Sequence, residues 1–314
     1  MLHRYCIADA HCDTLYELWK KGGSLQDHSF HVSLESVAAY GGYTQFFAVW
    51  VDDESKTPLE DVMQMLDVFY RTLEQNKENM QQLLTATDCQ QAFSPGKLSA
   101  ILTIENGNAL MGSLTNLRLF YRLGVRGLTL TWNGANELAD GVGEQRGGGL
   151  TEFGRSVVRE MNQLGMMIDV SHLSVQGFWD VLAESRAPVM ASHSNARAIA
   201  NHHRNLSDDQ IIAIEKQGGF IGLNLYPAFL TDGDSASIDD CVAHLEHIIS
   251  IAGEDCIGLG SDFDGFTPPM TIGLESPAGY CFLFETLEHR GWSKQRIRKL
   301  THENLIRYVQ KVIK

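Results

Sequence analysis

The sequence predicts an α/β chain folded as a (β/α)8 TIM barrel with additional C-terminal helices. Three observations carry this. Eight short apolar runs rich in β-branched and aromatic residues alternate with helical segments along 314 residues; that alternation builds a parallel sheet, and eight strands close a barrel. Five of the runs end in residues able to bind a metal, and barrels keep their chemistry at the C-terminal ends of their strands. No internal repeat, low-complexity segment or composition break divides the chain, so one domain over residues 1–314 is expected. An open doubly wound sheet is the alternative fold, but it would string those strand ends out in a row rather than gather them at one mouth.

Residues 5–14 read as the first strand and 15–21 as the start of a helix, followed by a polar, irregular stretch at 24–36. Residues 43–51, rich in aromatic and β-branched side chains, give strand two. Pro58 opens a long amphipathic segment, 59–84, whose Met63, Leu66, Phe69, Tyr70 and Leu73 recur at helical spacing. Strand three is Leu98–Glu105, a helix follows at 114–123, and strand four covers 125–131. A connection at 133–150 holds six glycines in eighteen residues; a mobile loop over a site and a plain surface connection explain it equally well. No Gly-Lys-Ser/Thr ends it, which rules out a phosphate-binding P-loop.

Thr151 marks a helix start for 151–164, strand five runs 166–172, and 174–185 returns as a helix. Strand six is 189–193, and 208–217 forms a helix capped by Ser207. Strand seven is 219–225, a helix follows over Ile238–Ala252, and strand eight is 256–262. Two closing helices, 278–290 and 294–312, complete the chain.

Composition narrows the chemistry. A net charge of −14, from 39 acidic against 25 basic residues, argues against nucleic acid or an anionic membrane as main partner. A small-molecule substrate fits better. The six cysteines show no C-x-x-C spacing and mostly sit in apolar runs, as reduced, buried thiols do. No apolar stretch approaches the ~20 residues needed to span a bilayer, and Asp9, His11 and Asp13 interrupt the opening segment, so a cytoplasmic location is expected. A homodimer is compatible with the sequence but is not fixed by it.

His11-Cys12-Asp13 is the stretch around which the site is organised. Strand alternation puts residues 11 and 13 on one face, so an imidazole and a carboxylate converge at a strand tip. Such a pair suits a borderline ion such as zinc, which needs further nitrogen and oxygen ligands. Those ligands end later runs: Leu102-Thr-Ile-Glu105, Met166-Met-Ile-Asp-Val-Ser-His172 and Pro188-Val-Met-Ala-Ser-His193. If Glu105 bridges, His11, Asp13 and Glu105 serve one metal and Glu105, His172 and His193 a second, the arrangement of a two-metal hydrolase. Asp262, closing Cys256-Ile-Gly-Leu-Gly-Ser-Asp262, is the natural general base and acid. Asp169 is expected to pair with backbone or a histidine.

The segments Asp9-Ala-His-Cys-Asp13, Thr103-Ile-Glu-Asn106, Asp169-Val-Ser-His-Leu173, Ala191-Ser-His-Ser194 and Gly260-Ser-Asp-Phe-Asp-Gly265 resemble the renal (membrane) dipeptidase family of the amidohydrolase superfamily. So do Tyr121-Arg-Leu-Gly-Val-Arg-Gly-Leu-Thr-Leu-Thr131 and Glu303-Asn-Leu-Ile-Arg307. The resemblance runs the length of the chain, in order. It implies two zinc ions per chain on these ligands, hydrolysis of dipeptides with tolerance for a D-residue at the C-terminal position, and Arg204 as the group that binds the substrate carboxylate. A guanidinium fork suits that role; Arg197 is a nearby competitor, read as a surface residue. One departure stands out: mammalian-type members carry a substrate-facing histidine after the Leu-Thr-Leu-Thr run, where this chain has Trp132-Asn133. An indole cannot accept a proton. Tyr226 is expected to line the pocket.

Two other functions compete. A deaminase or lactonase of the same superfamily often opens with His-x-His and bridges its metals with a carboxylated lysine, whereas this chain has Asp13 and Glu105 in those places. An inactive, metal-stabilised binding protein finds no support in a chain that keeps all five ligands and the acid/base.

Overall fold

The computed structural model describes residues 5–27 and 29–314. Its strands are β1 (Ile7–Cys12), β2 (Tyr43–Trp50), β3 (Met80–Gln82), β4 (Leu98–Glu105), β5 (Val125–Thr129), β6 (Met167–Asp169), β7 (Met190–Ala191), β8 (Phe220–Leu223) and β9 (Ile257–Leu259). The sheet order is β2-β1-β9-β8-β7-β6-β5-β4-β3, and β2 also pairs with β4. That pairing closes β1, β2 and β4–β9 into an eight-stranded parallel barrel. The ninth strand, β3, pairs only with the start of β4, Met80 opposite Leu98, and β5 takes over that edge from Leu102 onward. Register fixes the level of the mouth: Trp50 lies opposite Glu105, Glu105 opposite Thr129, Thr129 opposite Asp169, and Asp169 opposite Met190.

The helices are α1 (Thr14–Lys21), α2 (Leu34–Ala38), α3 (Pro58–Gln75), α4 (Ala86–Gln90), α5 (Leu114–Arg122), α6 (Glu152–Leu164), α7 (Val175–Glu184), α8 (Asp208–Lys216), α9 (Pro227–Leu230), α10 (Ile238–Ala252), α11 (Tyr280–His289), α12 (Lys294–Arg298) and α13 (Asn304–Val312). Local chemistry sets their starts. Pro58 occupies the first turn of α3 with Glu60 and Asp61 beside it, where a missing N–H and acidic charge cost nothing. Thr151 accepts from Gly154 N–H to cap α6, and Ser207 and Gln210 cap α8 reciprocally, satisfying donors the helix leaves open.

The expected 59–84 helix is shorter. It stops at Gln75 because Asn76 turns its side-chain amide back onto Thr72 O at 2.8 Å, and the chain then enters β3. The 294–312 helix is interrupted by a π turn at Lys299–Glu303. There Asn304 donates to Glu254 O and Ile257 O, fastening α13 to the start of β9. The short helix α2 begins inside the 24–36 stretch expected to be irregular and runs past its end.

Two apolar cores result. The larger fills the space between barrel and helices. The smaller is inside the barrel, where Ala8, Ala10, Phe46, Ile101, Met167, Met190 and Phe220 meet Leu305, Ile306, Tyr308 and Val309 of α13. The C-terminal helix therefore plugs the barrel at the end away from the mouth. Each large apolar side chain buried this way contributes ~1.5–3 kcal/mol. Above this plug β7, β8 and β9 approach so closely that a Cβ on Gly222 or Gly260 would lie 1.9 Å or 1.8 Å from Ser192 O. Only glycine fits there.

Among the described residues no helix is long and apolar enough to cross a membrane. The cysteines are all unbridged.

His244 of α10 braces the loop after β7. Its Nδ1 accepts from Ala196 N–H at 3.1 Å and its Nε2–H donates to Leu230 O at 3.0 Å, so the ring is held neutral. Burial lowers its pKa from 6.5 to about 4. The unfolded chain binds this proton at higher pH than the folded chain does. Stability is therefore whole above pH 6.5 and falls by up to ~1.4 kcal/mol per pH unit as pH drops toward 4. We predict that His244→Asn, which keeps one acceptor, lowers Tm at pH 7.5 but flattens the slope of Tm between pH 6.5 and 4; an unchanged slope would remove His244 as a source of acid lability.

Candidate metal centre and substrate cavity

The mouth of the barrel gathers His11, Asp13, Glu105, His172 and His193 into one buried cluster. Strand alternation alone does not deliver this. Ala8 and Ala10 face the inner core, which would put His11 outside. The β1–β2 register slips between Asp9 and Cys12, and Asp9 Oδ1 accepts His11 N–H across the irregularity. The slip turns His11 inward and Cys12 out into the larger core. Asp13 follows the strand as the N-cap residue of α1.

The other strands end earlier than the sequence implied. β6 stops at Asp169, β7 at Ala191 and β9 at Leu259, so His172, His193 and Asp262 stand on the turns beyond. His172 and Asp262 have φ of +67° and +65°, and Asn106, next to Glu105, has +88°. Such left-handed backbone is costly for these residues and gathers at functional sites. Here it aims the side chains into the mouth.

Glu105 lies at the centre. Its Oε2 is 3.2 Å from His11 Nε2, while its Oε1 is 2.9 Å from His172 Nε2 and 3.7 Å from His193 Nε2. Asp13 Oδ2 is 3.3 Å from His11 Nε2. Two groups, His11 with Asp13 and Glu105 and then Glu105 with His172 and His193, each offer three ligand atoms within 4.8 Å of one another. A third such group joins His11, His193 and Asp262.

The donor set fits cations. His172 Nδ1 donates to Asn133 Oδ1 at 2.9 Å, and His193 Nδ1 donates to Ser192 Oγ at 2.7 Å. That hydroxyl gives its own proton to Asp169 Oδ2 at 2.5 Å. Each Nε2 therefore presents a lone pair, and these lie 2.9 Å apart beside a carboxylate oxygen. Without a positive charge between them the three atoms repel. His11 Nε2 and Asp13 Oδ1 are also buried without a hydrogen-bond partner, and metal-ligating imidazoles characteristically place their second nitrogen on such anchors.

Electrostatics agree. Burial, then the positive charge of Arg204, lowers His172 to about 4; burial, then His11 and Arg204, holds His193 well below 6.5. Both are neutral ligands at pH 7. Burial opposes charge on His11 as well, but Glu105 and Asp13 raise it well above 6.5. A cation at this position would displace that proton. Burial raises the Asp262 carboxyl to about 7 against the pull of His11, with Asp13 and Glu105 adding to the rise.

Asp262 Oδ1 is 3.9 Å from His11 Nε2, and its Oδ2 accepts from Asn224 Nδ2 at 3.0 Å. It faces the centre from the rim. A Cβ on Gly265 would come within 2.3 Å of Asp262 and 2.4 Å of Asp13, so glycine is what lets the following turn close over both carboxylates.

A cavity of about 840 Å³ opens above the cluster, lined among others by Tyr16, Trp50, Trp132, Arg204, Tyr226 and Phe229. It is the size of a small-molecule site. Arg204 is buried at one side; its Nη2 donates to His193 O at 3.2 Å, its Nε has no hydrogen-bond partner, and no ion pair engages it among the described residues. Arg197 does not line this cavity. It donates to His203 O and Asn205 O and braces the loop that carries Arg204.

Asp169 pairs with backbone N–H groups, as its place in the sequence implied; the other supports had not been expected. Asn133 orients His172, while Trp132 packs edge-on against Trp50 with ring centroids 5.0 Å apart. Asp169 gathers Thr129, Ser171 and Ser192, and Asp9 gathers Ser261 and Tyr280. The glycine-rich 133–150 connection is tied to the site: Val142 N–H donates to His172 O, and Arg146 pairs with Asp140. Asp9 and Asp169 were visible as carboxylates inside apolar runs, a signal for buried anchors. Ser192 and Asn224 carried none.

Comparison with known proteins places this geometry. A metallo peptidase from Rhodobacter sphaeroides, solved with a phosphinate mimic of the dipeptide L-Ala-D-Ala, is 28% identical with a TM-score of 0.88, over 98% of this chain and 99% of that one. The metallo peptidase dipeptidase AC, of family M19, matches equally at 28% and 0.88, over 98% of both chains. An amidohydrolase from Pseudomonas aeruginosa, 24% identical with a TM-score of 0.84 over 99% and 98%, shares the fold. The sequence model of the membrane dipeptidase family, peptidase family M19, matches residues 1–314. This chain belongs to that family of metal-dependent dipeptidases.

Proposed function

We propose that this dipeptidase is a binuclear zinc enzyme that holds the dipeptide by its free carboxylate and accepts a D-residue at the C-terminal position. The observation that carries the reading is Glu105, whose two oxygens face two separate sets of buried ligands. His11, Asp13 and Glu105 would hold one ion, and Glu105, His172 and His193 the other. Nitrogen and oxygen donors of this kind suit zinc. When bound, the ions polarise the scissile carbonyl and lower the pKa of the attacking water.

The chain's own residues do the rest. Asp262, held by Asn224, takes the proton of the attacking water on its carboxylate and hands it to the leaving amine. Arg204 offers an uncommitted donor edge to the C-terminal carboxylate, which separates a dipeptide from a longer chain. Trp132 and Trp50 wall the opposite side. Asn133, committed to His172, is an orienting group in the Trp132-Asn133 pair that stands where mammalian-type members carry the histidine.

The relative that binds an L-Ala-D-Ala mimic supports the stereochemical part of the proposal. Unbridged cysteines fit a reducing, cytoplasmic setting. A carboxylate in the bridging place and a buried arginine favour peptide hydrolysis over the deaminase and lactonase alternatives.

Zinc-loaded protein should contain two equivalents of metal and release amino acids from paired L,L and L,D dipeptides; a single equivalent, or cleavage of L,L peptides alone, would refute those parts of the proposal. Asp262→Asn should retain both metals while kcat falls by ~10²–10⁴. Full turnover in that variant would exclude Asp262 as the proton carrier. Arg204→Gln should lower kcat/KM for free dipeptides by ~10–100-fold, mostly through KM, and erase the preference for a free carboxylate over a C-terminal amide.

A further inference from the structure

The side of the cavity that carries Arg204 is chemically one-sided. Loop residues 197–204 hold Arg197, His202, His203 and Arg204 in a chain of net charge −14, and no ion pair engages any of the four among the described residues. His202, His203 and Arg204 all line the cavity. Asp232, whose charge acts on His202, lies outside that lining and accepts from Asn201 N–H at 3.1 Å. The lining also holds Asp13, Glu17, Glu105, Asp262 and Asp264, of which Glu105 and Asp262 act on Arg204.

The histidine pair is arranged to donate. His202 Nδ1 accepts Arg204 N–H at 3.2 Å, which leaves the proton of the neutral ring on Nε2. Burial, then the charges of His203 and Arg204, lowers its pKa to about 4, so it is a neutral donor at pH 7. Its ring stacks on His203 with centroids 4.2 Å apart and lies against Phe229 at 4.6 Å, which fixes both rings. Arg197 stands behind them with an unpartnered Nε and adds positive field. No backbone carboxylate of a dipeptide needs so many donors once Arg204 has bound it.

We infer that His202 and His203 form a side-chain subsite for an anionic C-terminal residue, so that dipeptides ending in aspartate or glutamate are preferred substrates. The inference rests on the dipeptidase reading, with the main-chain carboxylate on Arg204. A second carboxylate on the same residue would then meet the histidine donors of a loop, 197–204, that carries no acidic residue of its own. An isosteric amide gains only neutral hydrogen bonds.

The test compares Gly-Asp with Gly-Asn and Gly-Glu with Gly-Gln, each with an L- or D-residue at the C-terminal position, with Gly-Ala as reference. The zinc-loaded wild type should show an acid-to-amide ratio of kcat/KM of about tenfold or more, carried mainly by KM. His203→Ala and His202→Asn should bring that ratio close to one, and His203→Glu should turn it against the acid. Because each ratio is internal to one variant, partial loss of folded protein cancels. Cleavage of Gly-Ala with a wild-type ratio near one would overturn this inference and leave the dipeptidase reading intact. A high ratio unchanged in all three variants would overturn the assignment to the histidine pair. Failure to cleave any of the peptides would refute both readings.

Discussion

One carboxylate, Glu105, holds the functional end of the molecule together. It stands at the end of a fully buried strand with an imidazole on each side, and both of its oxygens face nitrogen atoms rather than water. A carboxylate removed from water is costly unless opposite charge or strong donors surround it. His11 supplies that charge to one oxygen, whereas the other faces the Nε2 lone pairs of His172 and His193, an arrangement that suits a cation.

Around that centre lies a ring of buried polar anchors. Asp169 reaches His193 through Ser192, Asn133 fixes His172, and Asn224 fixes Asp262. Asp9 ties β1 to the turn after β9 through Ser261 and ties both to α11 through Tyr280. These groups choose the tautomer and direction of each ligand, which packing of apolar side chains cannot do. Left-handed backbone at His172 and Asp262 is the strain this ring sustains. The α13 plug and the glycines at 222 and 260 hold the strands close enough for those anchors to meet.

The cavity above is lined by groups of both signs, Asp13, Glu105 and Asp262 as well as Arg204 with its histidine neighbours. A dipeptide is a short dipole with an ammonium at one end and a carboxylate at the other. A cavity lined by both signs discriminates the two ends of such a dipole by charge. Trp50 and Trp132, packed edge to face, give that polar field a rigid, low-dielectric wall, which strengthens it.

Local sequence determined the order of the eight barrel strands and their main helices, because parallel strands buried on both faces read as apolar runs and helices announce their caps; β3, α4 and α9 left no such signal. It also marked the five metal-capable residues, since a polar group ending an apolar run lies where the strand leaves the core. It misjudged how the groups arrive. The slip in β1 that turns His11 inward, the strand ends at Asp169, Ala191 and Leu259, and the early stop of α3 depend on neighbouring strands and on single side-chain hydrogen bonds, which have no periodic signature. Tertiary structure alone assigned Asn133 to His172 and set two histidines beside the cavity. Those outcomes depend on which groups face one another after the barrel closes, and contacts between residues far apart in the chain leave no trace in local spacing.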